Sequence, residues 1–166
     1  MQKKHIQTLL IVGMAFILSA CAGGISRQAR SQVTYSGPFS SVVQNPGQFP
    51  GETVMWGGRV IETRAMNGAT EVEVLQLPLD SAYRPVNRDQ SQGRFLIRSA
   101  QFLDPAVYPP GTLITVVGHL LGPETGFIGE MSYVYPVIDV IEINKWDPAK
   151  YPSSRVHIGI GISGRF

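Results

Sequence analysis

Residues 53–77 read TVMWGGRVIETRAMNGATEVEVLQL, and this stretch decides the fold. Thr53 to Ala65 is rich in β-branched and aromatic residues, and Thr70 to Leu77 alternates valines with glutamates. Two such runs separated by Asn67-Gly68 predict a β-hairpin, because this dipeptide favours a type I′ turn with positive φ angles. The valines would share one face of the hairpin, and we expect that face to be buried.

Two adjacent glycines interrupt the first of these strands. Gly57-Gly58 indicates a bulge or a sharp bend at this point. Such a feature is needed where one strand serves two parts of a small closed barrel.

Further strand-like segments follow the hairpin. After a polar loop, Gly93 to Arg98 predicts a third strand, Gly111 to Gly122 a fourth and Tyr133 to Trp146 a long fifth. Residues 99–110, which contain three prolines, are expected to form a short helix or turn that caps one end of a barrel. Glycines and a proline between the fourth and fifth strands indicate a loop.

The number and spacing of these strands predict the fold class. Five strands between residues 51 and 146 indicate an all-β domain with an OB-like, five-stranded, partly open antiparallel barrel. Another small antiparallel barrel or sandwich is the alternative. No glycine-rich phosphate loop follows a strand, and no βα alternation favours a nucleotide-binding fold.

The beginning of the chain has the pattern of an export signal. Lys3 and Lys4 precede an apolar run from Leu9 to Leu18, which is shorter than the roughly 20 residues of a membrane span. Small residues then lead to Cys21, the only cysteine. We therefore predict a signal peptide over residues 1–20.

The stretch Leu18-Ser-Ala-Cys21 resembles the lipobox of bacterial lipoproteins, in which the thiol becomes a thioether to diacylglycerol and the freed amine is acylated. We predict lipidation at Cys21, and the acyl chains would hold the protein on its membrane. An ordinary signal peptide with a cysteine beside the cleavage site is the alternative. By resemblance to the lipoprotein sorting pattern, Ala22 indicates the inner leaflet of the outer membrane, so that the protein would face the periplasm.

Removal of the signal peptide changes the charge balance. It leaves 146 of 166 residues and takes away two lysines, so that 12 cations face 12 anions. The sequence pI of about 8.8 therefore belongs largely to the signal peptide and does not indicate a nucleic-acid partner. With 43% hydrophobic and 16% charged residues, the chain has the composition of a globular protein.

Two segments flank the predicted domain. Residues 21–50 are rich in Ser, Gly, Gln and Pro and predict a lipidated, flexible tether. Within the tether, residues 39–49 could form a helical turn whose apolar side chains dock on the domain. Residues 147–166 predict a C-terminal tail or an extra strand.

The tail has an unusual pattern, in which isoleucines and a valine alternate with small or polar residues from Val156 to Ser163 and the sequence ends on Phe166. This resembles the last strand of outer-membrane barrels. The alternatives are a strand that pairs with the barrel's own edge and a partly ordered tail.

Several short blocks follow one another between the lipobox and about Trp146. They are Val54-Met-Trp-Gly-Gly-Arg-Val-Ile61, Glu71-Val-Glu-Val-Leu-Gln-Leu-Pro-Leu-Asp80, Ser91-Gln-Gly-Arg-Phe95, Leu103-Asp-Pro105, Tyr108-Pro-Pro-Gly111, Thr115-Val-Val-Gly118 and Gly126-Phe-Ile-Gly-Glu130, with Tyr133 and Tyr135-Pro136. In this order they resemble the Slp family of starvation-type outer-membrane lipoproteins. The resemblance implies an outer-membrane location and an association with starvation or envelope stress. It implies no established reaction and therefore no catalytic residues.

Candidate chemical groups are few in the sequence. His119 is predicted on the outer face of the fourth strand, and a triad with Asp104 or Asp139 has no supporting serine motif. Glu71 and Glu73 lie two residues apart on one strand and are expected to be solvated charges. We accordingly predict no catalytic, metal or cofactor site, and lipidation of Cys21 leaves no free thiol.

The charge pattern bears on two binding functions, phosphate binding and oligonucleotide binding. Arg84, Arg88, Arg94 and Arg98 could bind phosphates of lipopolysaccharide or phospholipid, although scattered solubilising charges are the simpler interpretation. Oligonucleotide binding needs aromatic platforms in a basic groove, and only Phe95 lies on a suitable strand, next to acidic neighbours. We therefore expect no nucleic-acid partner.

These observations together predict a lipid-anchored, non-enzymatic interaction module in envelope maintenance or in the response to stress or starvation. An outer-membrane protein or lipopolysaccharide is its expected partner. A hydrolase or carrier that acts on envelope glycolipid or lipid is the alternative.

Substitution Cys21→Ser tests the predicted anchor. Because a hydroxyl is a far weaker nucleophile than a thiol, the variant should carry no acyl chain and should accumulate as unprocessed precursor. Metabolic labelling with a radioactive fatty acid measures this directly. The neighbouring substitution Ala22→Ser should keep the label, and label persisting on Cys21→Ser would exclude Cys21 as the acylated residue.

Overall fold

A computed structural model describes residues 24–86 and 90–147 of the chain. The predicted signal peptide, Cys21, Arg88 and the tail from residue 148 onward lie outside the described residues. No helix within the described ranges is long and apolar enough to cross a membrane. The elements are α1 (Arg27–Arg30), α2 (Phe39–Gln44), β1 (Thr53–Met66), β2 (Ala69–Leu77), β3 (Arg94–Ser99), β4 (Leu113–Leu120), β5 (Glu124–Ile128), β6 (Met131–Tyr135) and β7 (Val137–Trp146).

Five strands form one closed barrel in the order β1-β2-β3-β7-β4. Neighbouring strands run antiparallel, except that β3 and β7 pair in parallel from Leu96 and Val137 to Arg98 and Asp139. With the separate β5–β6 hairpin set aside, this is the strand order of an OB fold, and the predicted all-β, OB-like barrel is confirmed. Two details differ from the predicted partly open, antiparallel barrel. The sheet closes completely, and the β3–β7 pair is parallel.

Closure depends on β1, which pairs with two neighbours. Its residues 57–66 pair with β2, and its residues 53–59 pair with β4. A Cβ atom on Gly58 would lie 2.3 Å from Val74 Cγ1 and 2.5 Å from the carbonyl oxygen of Leu75. The close approach of β1 and β2 at this point therefore needs a glycine, but the bulge predicted at Gly57-Gly58 is not there. The bulge itself lies later, at Ile61, where the register shifts between Val60 and Glu62.

The inward faces of the strands form the main core. Val72 and Val74 on β2 are fully buried inside the barrel, as the alternation predicted, and Phe95 on β3 joins them. Trp56 packs edge-to-face on Phe95 with ring centroids 5.3 Å apart. Full burial of one such apolar side chain stabilises the fold by about 1.5–3 kcal/mol.

Residues 24–50 are packed against the barrel and do not form the expected flexible tether. Phe39 and Val42 of α2 enter the main core, where the Phe39 ring lies 4.6 Å from Trp56 between centroids. The helical turn expected within residues 39–49 is present. Average composition predicted a tether because the few apolar residues of this segment are separated by many small and polar ones.

Two connections also differ from the prediction. The expected loop after β4 is the β5–β6 hairpin, and the expected long last strand is divided at Pro136 into β6 and β7. Proline ends β6 because it has no N–H to donate to a ladder. Of the two forms predicted for residues 99–110, a helix or a turn, the structure has turns. Leu103 in this segment is buried against the main core.

The turn between β1 and β2 has the predicted position but another geometry. Gly68 has a φ of 79°, whereas Asn67 is not among the residues with positive φ. A type I′ turn needs positive φ at both central residues, so the predicted type is wrong. Positive φ at the second central position alone fits a type II turn, which also favours glycine there.

Substitution Gly68→Val tests the importance of this conformation. Since nothing lies within 4 Å of a Cβ placed on Gly68, the cost arises from backbone strain alone. We expect a loss of about 1–3 kcal/mol in the free energy of unfolding. Denaturant titration measures it, and Gly68→Asn is the matched control because asparagine tolerates positive φ. Equal stability of the two variants would contradict the assigned turn.

Candidate functional site

The β5–β6 hairpin folds over the outer face of β2 and β3. Leu96, Tyr135 and Val137 form a small buried cluster at this junction, with Ile128 and Tyr133 packed against it. The hairpin therefore covers the face of strands 2 and 3 through which OB folds commonly bind oligonucleotides and oligosaccharides.

Glu71 lies at the centre of an ionic network on this covered face. Only 7% of its surface is exposed, and it pairs directly across the sheet with Arg64 on β1 and Arg98 on β3. Arg64 Nη2 donates to Glu71 Oε1 at 2.9 Å and Arg98 Nη2 lies 3.4 Å from Oε2. Arg98 also binds Glu124 of β5, so one guanidinium joins the barrel to the hairpin.

Glu73 makes the second connection to the hairpin. It is 8% exposed and accepts hydrogen bonds from Arg94 Nη1 at 2.8 Å and from the Tyr135 hydroxyl at 3.1 Å, both at Oε1. Tyr133 adds a third link, because its hydroxyl accepts from the backbone N–H of Arg94 at 2.9 Å.

Two side chains of this network have shifted pKa values. Burial raises the pKa of Tyr135, and the adjacent Glu73 carboxylate adds to the effect. The hydrogen bond to Glu71 raises the pKa of the Arg64 guanidinium. Both shifts keep the proton on the donor and so preserve the hydrogen bonds of the network.

A cleft of about 190 Å³ remains between hairpin and barrel. It is smaller than the roughly 300–1,000 Å³ typical of ligand pockets. In the described part of the chain, no buried side-chain nitrogen or oxygen lacks a hydrogen-bond partner. The cleft is lined by Arg64, Glu71, Glu73, Leu96, Glu124, Gly126, Phe127 and Tyr135.

The paired carboxylates limit what chemistry this cleft can support. Each buried glutamate accepts hydrogen bonds from an arginine, so its oxygens are already occupied by partners within the protein. The arrangement is suited to attaching the hairpin to the barrel in one position.

The structure separates several residues that the sequence analysis had grouped. Arg94 and Arg98 belong to the network, whereas Arg84 binds Asp80 at 3.2 Å in the loop after β2. Arg88 lies outside the described residues. The three described arginines therefore do not form the phosphate-binding group that was the alternative to scattered charges. The expectation that Glu71 and Glu73 are solvated is wrong.

His119 is exposed on β4, as predicted. Its Nδ1 lies 2.9 Å from the hydroxyl of Thr53 on the neighbouring strand. Asp139 is opposite His119 on β7, whereas Asp104 belongs to the connector at the other end of the barrel.

Sequence analysis missed Arg64, Glu124 and Tyr135. Glu124 and Tyr135 are placed by the β5–β6 hairpin, whereas the sequence pattern predicts a loop and the start of another strand there. A signal was present in Gly129, which has a φ of 60° at the first central position of a two-residue turn. Glycine at that position is typical of type II′ hairpins.

The free face of the hairpin is unusually apolar. On this face Phe127 is 71% exposed and Val134 is 40% exposed. Met131, 74% exposed, extends the apolar surface at the turn. Residues 122–137 include two glutamates and no lysine or arginine. Clustered exposed apolar side chains are characteristic of interaction sites.

Comparison with known proteins identifies the family. The family model of the outer membrane lipoprotein Slp family matches residues 18–161. The chain belongs to this family. Two relatives from Escherichia coli (strain K12) are each 32% identical. The uncharacterized lipoprotein YeaY aligns over 87% of this chain and 75% of its own length, and outer membrane protein Slp aligns over 82% and 73%.

Membership in the Slp family confirms the resemblance found in the sequence blocks. It also confirms the predicted localisation, so this Slp-family protein is a lipid-anchored lipoprotein of the outer membrane.

Solved structures with similar chains include two single-stranded DNA-binding proteins. A small single-stranded DNA-binding protein from Streptomyces coelicolor has a TM-score of 0.39 and 16% identity, over 60% of this chain and 97% of that chain. The mitochondrial protein Rim1 from S. cerevisiae has a TM-score of 0.36 and 14% identity, over 57% and 94%.

Substitution Tyr135→Phe tests how the hairpin is held. It removes the hydroxyl that donates to Glu73, and we expect a loss of about 1–3 kcal/mol in the free energy of unfolding. Tyr35→Phe is the control, because its hydroxyl makes an exposed bond to the Pro38 carbonyl. Thermal and denaturant unfolding measure both variants, and equal losses would contradict a special role for Tyr135.

The raised pKa of Tyr135 adds a pH dependence to this comparison. In the unfolded chain this tyrosine ionises near pH 10, before it does so in the native state, so its contribution to stability falls as pH rises above about 10. The loss in free energy of unfolding caused by Tyr135→Phe should therefore be smaller above about pH 10 than near neutral pH. Denaturant titration at both pH values measures this difference.

Proposed function

We propose that this Slp-family protein is a non-enzymatic binding protein of the outer membrane. Acyl chains on Cys21 anchor it, and the barrel with its packed segment from residue 24 onward is the folded unit on the periplasmic side. The lipobox pattern and the family support this proposal. Envelope maintenance or the response to stress or starvation is its physiological setting.

The exposed apolar face of the hairpin is the observation that carries the binding function. Phe127 and Val134 lie on the free face of a hairpin whose other face is attached to the barrel by ion pairs and hydrogen bonds, and Met131 is exposed at its turn. A rigid apolar surface loses little conformational entropy on binding, which favours its use as a docking site.

The charged residues of the hairpin indicate which class of partner its free face can bind. Residues 122–137 contain no lysine or arginine, so the free face of the hairpin offers no cation to pair with the phosphates of lipopolysaccharide. The apolar surface instead fits a patch of apolar side chains on another envelope protein. We therefore assign a protein, rather than lipopolysaccharide, as the partner of this face.

The network under the hairpin argues against an enzymatic role for this cleft. Its buried glutamates are bound by arginines, and the remaining volume is small for a glycolipid or lipid substrate. The hydrolase or carrier alternative therefore receives no support from this site.

Position-specific photo-cross-linking in living cells tests the proposed surface. A photoreactive phenylalanine analogue replaces Phe127 in one strain and Phe102 in another, since both side chains are about equally exposed at 71% and 70%. We expect one discrete, protease-sensitive adduct from position 127 and none of the same mass from position 102. Immunoblotting of the lipoprotein measures both.

A second comparison links the adduct to the apolar surface. With the analogue at Thr125, which is also exposed on the free face, Val134→Ser should remove most of the adduct and Val107→Ser should leave it unchanged. A protease-resistant adduct that stains as lipopolysaccharide would contradict a protein partner. Equal adducts from positions 127 and 102 would contradict the assigned surface.

A further inference from the structure

The segment next to the predicted lipidation site is packed firmly on the barrel. Ile25 is 5% exposed and packs with Ala29 against Val117 of β4. The backbone N–H of Ser26 donates to Glu142 Oε1 at 2.7 Å, and its hydroxyl donates to Oε2 at 2.6 Å. A bidentate contact with one carboxylate attaches the chain to β7 at this point.

Only a short piece of chain separates this attachment from Cys21. Four residue steps lead from Cys21 to Ile25, and at full extension they span at most about 14 Å. A folded chain of about 120 residues has a radius of gyration of about 14 Å. The connection is therefore too short for the barrel to turn over and present its opposite side to the membrane.

The packed segment and the hairpin occupy opposite sides of the barrel. Ile25 and Ala29 cover outward-facing Val117 on β4, with Met55 of β1 and Ile141 of β7 packed around them. The hairpin instead covers the outer face of β2 and β3. In the ring β1-β2-β3-β7-β4, strand β4 lies opposite the β2–β3 pair.

The charge of the packed segment suits a phospholipid surface. Residues 22–51 contain Arg27 and Arg30 and no aspartate or glutamate. Arg27 is exposed, and Arg30 is held over the Tyr83 ring with its guanidinium carbon 4.9 Å from the ring centroid. Cations beside a membrane anchor are attracted to anionic headgroup phosphates.

We infer that the packed N-terminal segment sets the orientation of the barrel on the membrane. The α1 side lies against the leaflet that holds the Cys21 acyl chains, and the hairpin with Phe127 faces away from that leaflet. This inference rests on the proposed anchor at Cys21, and it explains how the apolar hairpin face remains available to a protein partner instead of inserting into lipid.

Fluorescence quenching on the full lipidated protein tests this orientation. Because Cys21 is the only cysteine and its thiol is a thioether in the proposed anchor, a single introduced cysteine is the only free thiol. Gln28→Cys on α1 and Thr125→Cys on the hairpin are both exposed and take a small thiol-reactive fluorophore. Each protein is reconstituted into vesicles of phosphatidylethanolamine and phosphatidylglycerol with a nitroxide on the lipid headgroup.

We expect the label at position 28 to be quenched several-fold more than the label at position 125. Equal quenching, or stronger quenching at position 125, would overturn the inferred orientation. Failure of the protein to co-float with the vesicles would instead overturn the anchor, and with it the orientation, so the two failures are distinguishable.

A linker insertion tests whether the short connection between Cys21 and Ile25 causes the inferred orientation. A flexible Gly-Ser linker of about 20 residues has a root-mean-square length of about 25 Å. Inserted between Gly23 and Gly24, it should reduce the difference between the two labels several-fold, whereas the same linker between Asp147 and Pro148 should leave the difference unchanged. An unchanged difference after both insertions would show that the short connection does not set the orientation.

Discussion

The pairing of β1 with two neighbours is the constraint on which the rest of the structure depends. The strand can belong to both ladders because Gly58 lets the backbones approach, and a bulge at Ile61 lies within its ladder with β2. Closure then removes the free sheet edges of the barrel, which would otherwise offer unpaired backbone groups to other chains. It also leaves two ends and a curved outer surface that other segments must cover.

The covering segments perform different tasks. Phe39 of α2 and Leu103 of the β3–β4 connector fill the core at the two ends, and this is ordinary apolar packing. The hairpin is held by ion pairs and hydrogen bonds around Glu71 and Glu73. Buried ion pairs gain little net stability after desolvation, whereas breaking one leaves an uncompensated charge. The network therefore acts mainly by allowing one hairpin position and disfavouring others.

This arrangement connects the fold with the outer-membrane location of the Slp family. The ligand face common in OB folds is occupied here by the chain's own hairpin, and the binding that we propose uses the hairpin's free side. The segment that follows the lipobox occupies the other side of the barrel. One domain thereby separates a face suited to lipid headgroups from a face suited to a protein.

Local signals in the sequence determined the β1–β2 hairpin, the number of barrel strands, the lipobox and the family. Alternation of side chains and a glycine in a turn act over a few residues, so a reader of the sequence can detect them. The burial of Glu71 and Glu73, the recruitment of Arg64 and Tyr135, and the packing of Ile25 on Val117 were decided only by the tertiary structure. Each depends on surfaces contributed by segments far apart in the chain, and the same glutamates without the hairpin above them would be ordinary solvated charges.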